Sequence, residues 1–185
     1  MSDAKKELRR EMLSVRRNME KSVRKEYDEK IYNNLMDDER IRGCGTFLVY
    51  ASSPDEVDTR HFIESVLKEG KTVAVPKCVG KDMVFLKISS LSGLVKSRFG
   101  VDEPAGGEEI TCSDGTVCIV PALRFDRNGH RLGWGGGFYD RFLPRYTGIS
   151  IGICYEDNCG SLPADEHDFP VDSVITENGN YTQWI

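Results

Sequence analysis

VCIVPALRFDRNGHRLGWGGGFYDRFL, residues Val117 to Leu143, decides how this chain is read. It opens on four apolar residues, Val117, Cys118, Ile119 and Val120, and stops at Pro121. A run so short, β-branched and apolar on both parities predicts a strand buried on both faces. A polar turn from Asp126 to Gly129 follows, then Arg131 and the glycines Gly133, Gly135, Gly136 and Gly137. Phe138 to Leu143 reads as the first turns of a helix, with Pro144 opposing its continuation. The order is strand, glycine loop, helix.

Glycines let backbone N–H groups approach an anion closely, and the start of a helix adds unpaired N–H groups of its own. Arg131 adds a permanent forked cation, and Asp140 is a carboxylate able to hold Mg²⁺ beside phosphate oxygens. The spacing G-x-G-G-G matches neither the Walker lysine loop nor the dinucleotide fingerprint. By themselves the residues support phosphate binding by a nonstandard loop. A glycine-rich surface turn without a ligand would use the same residues.

The segment resembles the signature of the 5-formyltetrahydrofolate cyclo-ligase family: Pro-Gly-Leu-Ala-Phe-Asp, a turn, then Arg-Leu-Gly-x-Gly-x-Gly-Tyr-Tyr-Asp. Pro121, Leu123, Phe125, Asp126, Gly129, Arg131, Leu132, Gly133, Gly135, Gly137, Tyr139 and Asp140 fall in register. Ala122, Arg124 and Phe138 depart from it. At lower density the resemblance runs from the N-terminus to the last expected strand.

Composition narrows the alternatives. At 185 residues with 30% charged side chains, the chain fits one soluble domain large enough for a core of its own. No apolar run approaches a membrane span, and MSDAKKELRREM has no apolar centre to act as a signal peptide. A cytoplasmic location, with no membrane partner, is expected. Six cysteines without a C-x-x-C pair and three scattered histidines oppose a zinc site and favour reduced thiols. The net charge is −5, yet residues 1–30 hold ten Lys/Arg against seven Asp/Glu. An acidic remainder disfavours nonspecific nucleic-acid binding but leaves a basic N-terminus for one polyanionic ligand.

Working outward from the central stretch, a helix capped by Ser2 or Asp3 is expected to run to Asn18, with Leu8, Met12, Val15 and Met19 on one stripe. A second helix, capped by Ser22, carries Val23, Tyr27, Ile31 and Leu35. Strands are expected at Thr46–Ala51, Thr72–Val75 (ended by Pro76), Met83–Ile88, Ile149–Cys154 and Ser173–Thr176. A helix capped by Asp58 or Thr59 joins the first two as a right-handed βαβ unit. Residues 90–115 read as a long irregular excursion. The expected fold is a single three-layer α/β/α domain over 1–185 with a mostly parallel sheet. The N-terminal helical pair, 1–40, packs on it.

The resemblance implies more than the residues do. It implies the architecture of the sugar-phosphate isomerases and CoA transferases, and an ATP- and Mg²⁺-dependent cyclising C–N ligase. Such an enzyme converts 5-formyltetrahydrofolate to 5,10-methenyltetrahydrofolate with release of ADP and phosphate. It carries Lys5 and Arg9 over as ATP contacts, joined by Arg131, Leu132, Gly133, Trp134, Gly135, Gly136, Gly137, Phe138 and Tyr139. Catalytic charge stabilisation would fall to Arg131 and Lys5. Ala51 and Glu56 are implied at the folate, with Trp134, Gly135, Gly136, Gly137 and Phe138. Asp140 and Asp168 are implied at the metal. Tyr50, Phe85 and Trp134 are candidate stacking rings, the first two also natural core residues. His167 is a bystander beside Asp168, and Asn158 stands where the family often has glutamine. A monomer is expected. An ATP-independent isomerase or transferase on this architecture, and a noncatalytic nucleotide-binding regulator, are the competing readings.

Overall fold

The computed structural model of the protein describes residues 3–111, 114–163 and 168–182. Ser2 and His167, singled out above, lie outside the described residues, as does Cys112. The chain builds a seven-stranded sheet in the order β11-β10-β9-β6-β1-β2-β3. These strands are β1 (Thr46–Val49), β2 (Thr72–Val79), β3 (Asp82–Ile88), β6 (Thr116–Pro121), β9 (Ile149–Ile153), β10 (Ser173–Thr176) and β11 (Gly179–Thr182). The five inner strands are parallel, and β3 and β11 close the two edges antiparallel. This is the mostly parallel α/β fold expected from the sequence.

Both faces of the sheet are buried because its inner strands are apolar on both parities. Phe47, Val73, Val117, Ile119 and Ile151 point to one face, where Ile31, Leu35, Phe62, Ile63 and Val66 pack against them. These partners come from α2 (Lys21–Asp37) and α4 (Arg60–Lys68). Leu48, Ala74, Cys118 and Val120 point to the other face, which Phe125, Phe142 and Leu143 cover. Phe142 and Leu143 belong to α5 (Phe138–Phe142) and the 3₁₀ turn that follows it.

The chain leaves β1 toward β2 on one side and returns to β6 on the other. Neighbouring parallel strands whose connections diverge in this way open a crevice at their carboxyl ends, where ligands of α/β proteins bind. The loop after β1 carries Ala51 and Glu56, and the loop after β6 leads to the glycines. The hairpin β7 (Arg124–Phe125) and β8 (Arg131–Leu132) carries the chain between β6 and that cluster. Across this end lies α1 (Asp3–Asn18).

Several local expectations are corrected. The second helix starts at Lys21, with Glu20 at its N-cap and no capping side chain, so Ser22 lies inside it. A short helix, α3 (Glu39–Gly43), capped by Asp38, precedes β1. β2 does not end at Pro76: it continues to Val79 paired with β3. Its register with β1 stops at Ala74, so the N–H that Pro76 lacks interrupts no ladder on that side. The 90–115 excursion contains the hairpin β4 (Leu94–Lys96) and β5 (Asp102–Pro104). The stripe on α1 is also different. Lys5, Met12 and Arg16 are its buried residues, and Val15 is 38% exposed.

Gly152 in β9 shows how closely the second face is packed. A Cβ there would lie 2.3 Å from the Phe125 ring, itself only 1% exposed. Gly152→Ala is therefore expected to destabilise the fold by about 1–3 kcal/mol through overpacking, read as a lower urea midpoint.

Candidate active site

Helix α1 delivers three cations over the carboxyl end of the sheet. Lys5 and Arg9 are one turn apart and Arg16 lies seven residues on, so all three share a face. Lys5 is buried and its ammonium pairs with Asp168 at 2.7 Å. Arg9 Nε donates to the carbonyl of Gly133 at 2.7 Å, tying α1 to the first glycine of the loop. Arg16 has 0% exposure. Its guanidinium donates to the carbonyls of Ala122 (2.6 Å) and Leu123 (3.2 Å) after β6, and of Asp55 (3.1 Å) after β1. One side chain thus clips together the two loops that flank the crevice.

Arg131, on β8, has a side chain only 3% exposed and pairs with Asp140, whose side chain is 36% exposed. Its other terminal nitrogen donates to the carbonyl of Phe169 at 2.7 Å. Burial lowers the pKa of Arg9 and of Arg131, while the charges of Asp140 and Asp168 pull both back up. Two guanidinium groups and two carboxylates therefore share one cluster, with Lys5 on its Asp168 side. Both guanidinium groups remain charged.

The glycine loop lies beside this cluster, with Trp134, Gly135 and Gly136 exposed. Gly135 (φ 101°) and Gly137 (φ 65°) occupy left-handed backbone that a side chain would strain. The helix expected after the loop is one short turn of five residues, α5, so its dipole adds little to the site. Trp134 Nε1 donates to Glu56 Oε1 at 2.9 Å, joining the loops after β1 and β6. The other oxygen of Glu56 accepts from the backbone N–H of Ser53 at 2.8 Å. The Tyr139 ring lies under the Arg131 guanidinium at 5.9 Å. Its hydroxyl is buried with no hydrogen-bond partner among the described residues.

The sequence-derived set therefore divides. Lys5, Arg9, Arg131, Asp140 and Asp168 form the charged cluster, and Glu56 and Trp134 form the adjoining bridge. Leu132 contributes its side chain to the core, 1% exposed with Met12 and Leu123. Ala51 is buried directly after β1. Phe138 lies edge-on to Phe99 of the β4–β5 hairpin tip, with centroids 6.0 Å apart. Tyr50 and Phe85 are core residues, 6% and 1% exposed. Asn158 is wholly buried, and its amide donates to Met12 Sδ at 3.3 Å. That bond places it beneath α1. Arg16 was missed from the sequence, although its spacing from Lys5 and Arg9 was the available signal.

Among the described residues no group of three or more His, Cys, Asp or Glu side chains forms a metal cage. Mg²⁺ commonly takes one or two protein carboxylates, with phosphate oxygens and water completing its shell. Asp140 and Asp168, both facing the Arg9 and Arg131 cations, fit that hard, oxygen-only requirement.

Cations and carboxylates gathered at the switch point of a parallel sheet define an α/β enzyme built to receive a charged ligand. The sequence profile of the 5-formyltetrahydrofolate cyclo-ligase family matches residues 1–177, and the chain belongs to that family of enzymes. It is similar to the probable 5-formyltetrahydrofolate cyclo-ligase of Schizosaccharomyces pombe, 28% identical over 89% of this chain and 96% of that one. Similarity to the 5-formyltetrahydrofolate cyclo-ligase of Escherichia coli K12 reaches 34% identity over 71% and 77% of the two chains. The NMR structure of Aquifex aeolicus 5,10-methenyltetrahydrofolate synthetase superposes with a TM-score of 0.84 at 32% identity. That superposition covers 98% of this chain and 93% of the other. Among the described residues no helix is long and apolar enough to cross a membrane.

The clip formed by Arg16 is directly testable. Arg16→Met keeps the volume but strands three carbonyls, and each unsatisfied buried acceptor costs about 1–3 kcal/mol. A urea midpoint well below that of the native chain is expected, and Arg16→Lys should recover only part of it.

Proposed function

We propose that this enzyme closes the ring of 5-formyltetrahydrofolate to 5,10-methenyltetrahydrofolate at the expense of ATP, with Mg²⁺, as a cytoplasmic, monomeric, single-domain protein. The observation that carries this reading is the cluster of Lys5, Arg9 and Arg131 with Asp140 and Asp168, set beside an exposed glycine loop. Family membership names the reaction class. Three cations suit an oligophosphate, and the bridge of Glu56 and Trp134 suits a ring that presents N–H donors and a flat face.

In the reaction, the formyl oxygen attacks the γ-phosphorus and ADP departs. N10 then adds to the activated formyl carbon, and the formyl oxygen leaves with the phosphate. No protein nucleophile takes part. The work of the chain is to hold two substrates in line and to meet the charge that develops on the phosphoryl oxygens. Arg131 is held by Phe169 and Lys5 by its helix, so both are oriented before substrate arrives. Arg9 fixes the glycine loop through Gly133 while its charge faces the same cluster. Asp140 and Asp168 would hold Mg²⁺, which when bound neutralises phosphate charge. Glu56 and Trp134, with Ala51 at the root of the same loop, would bind the folate.

Mixing the protein with 5-formyltetrahydrofolate and MgATP should produce the methenyl chromophore. Omitting ATP should abolish it. Chromophore growth without ATP would favour the isomerase or transferase reading, and ATP binding without turnover the regulator. Arg131→Ala should lower turnover roughly 100- to 1000-fold, as does the loss of one charge-stabilising donor elsewhere.

Asp140 separates metal from nucleotide. Asp140 pairs with Arg131, so ATP without Mg²⁺ competes with a carboxylate for that cation and brings none in exchange. Asp140→Asn is expected to bind Mg²⁺-free ATP more tightly than the native chain, roughly fivefold for about 1 kcal/mol of ion-pair energy. The same variant should bind MgATP more weakly. Equilibrium dialysis with and without chelator reads both changes, and parallel changes would remove Asp140 from the metal role.

A further inference from the structure

Two cysteines outside the charged cluster sit in sulfur contact. Cys154 follows β9 and is 0% exposed, whereas Cys159 is half-buried after the 3₁₀ turn Glu156–Asn158. Their Sγ atoms are 3.4 Å apart. Neither is a loose side chain on a loose segment. The Cys154 N–H donates to the Ile175 carbonyl of β10, and the Cys159 N–H to the carbonyl of Glu156 at 2.8 Å. Cys159 also forms a parallel bridge to Phe125 of β7. The backbone therefore holds the two sulfurs together, and closing the gap to a bond of about 2.05 Å needs side-chain rotation of well under two ångströms per sulfur.

We propose that Cys154 and Cys159 are a hydroperoxide-oxidisable pair that closes into an intramolecular disulfide. The exposures set the order of events. Cys159 meets the reagent first because Cys154 is enclosed. The Cys159 sulfur attacks one peroxide oxygen, becomes a sulfenic acid, and releases the other oxygen as water. The Cys154 sulfur then attacks the Cys159 sulfur, forming the S–S bond, and its proton leaves with the sulfenic oxygen as a second water. Two thiols lose two electrons and two protons in all, and one hydroperoxide is reduced. The hydrogen bond with Cys159 and burial push the Cys154 thiol well above its ordinary pKa, so it is the poorer nucleophile toward peroxide and Cys159 is the sulfur oxidised first.

The location gives the modification a structural target. Asn158, inside the turn that the disulfide would staple, donates to Met12 Sδ beneath α1. Gly160, just beyond it, donates its N–H to Phe125 O at 2.9 Å. Oxidation would fix the support under α1 without touching Lys5, Arg9, Arg131, Asp140 or Asp168.

The test treats the reduced, full-length protein with hydrogen peroxide, blocks remaining thiols with an alkylating reagent, and maps the peptides by mass. The expected result is a Cys154–Cys159 cross-link that dithiothreitol reverses. In Cys154→Ser a dimedone-trappable sulfenic acid should accumulate on Cys159, and in Cys159→Ser the Cys154 thiol should stay unmodified under the same exposure. Alkylation of both thiols after peroxide treatment of the native chain would overturn the proposal, whether or not the variants fold. A cross-link from either one to Cys112 or Cys118 would do the same.

Discussion

The arrangement depends on a helix that buries charge. An amphipathic helix ordinarily turns its apolar stripe inward, but α1 turns inward Lys5 and Arg16 with Met12 between them. Burying cations is unfavourable unless each finds partners. Here the partners are backbone carbonyls at the carboxyl ends of β1 and β6, the first glycine carbonyl and the Asp168 carboxylate. The helix cannot move away without stranding those acceptors, so its position and the shape of the crevice are fixed together.

That coupling explains why the site can be built largely from loops. The segments after β1 and β6 lie where a parallel sheet leaves its carboxyl ends open, and open loops alone would position nothing closely. Arg16 holds both from beneath, while the contact between Trp134 and Glu56 joins them nearer the surface. Between these two ties, Arg131 is held by Phe169 and Asp140. Within the glycine loop Trp134 to Gly136 are exposed, which is the part a ligand would have to reach.

The sheet was legible because its signal is local. Val117 to Val120 is apolar on both parities, and the spacing of the first βαβ unit leaves little choice of topology. The glycine loop and its carboxylate were legible as a resemblance, and Lys5 and Arg9 as charges one turn apart. What escaped depends on distant pairing. Pro76 stops a strand only where a neighbouring strand needs the N–H it lacks, and β1 no longer pairs there. Val15 looked like core because periodicity cannot tell a helix lying on apolar side chains from one lying on carbonyl groups. Arg16 escaped for the same reason, since its partners are main-chain atoms supplied by residues about forty and more than a hundred positions away. Asn158 stands where the family often has glutamine, and its amide donates to Met12, a relation fixed by how α1 crosses the sheet.

The opposite charges within the cluster have a consequence for specificity. Lys5 with Asp168 and Arg131 with Asp140 offset one another, so that three cations and two carboxylates leave the cluster a single net positive charge. Asp140 is over a third exposed, so its attraction to Arg131 is screened and can be exchanged cheaply. A ligand bringing phosphate and a divalent cation together offers both sides new partners at once, whereas either component alone leaves one charge unmatched. Selection of the complete metal–nucleotide complex would then follow from where the carboxylates rest beforehand, with no moving lid required.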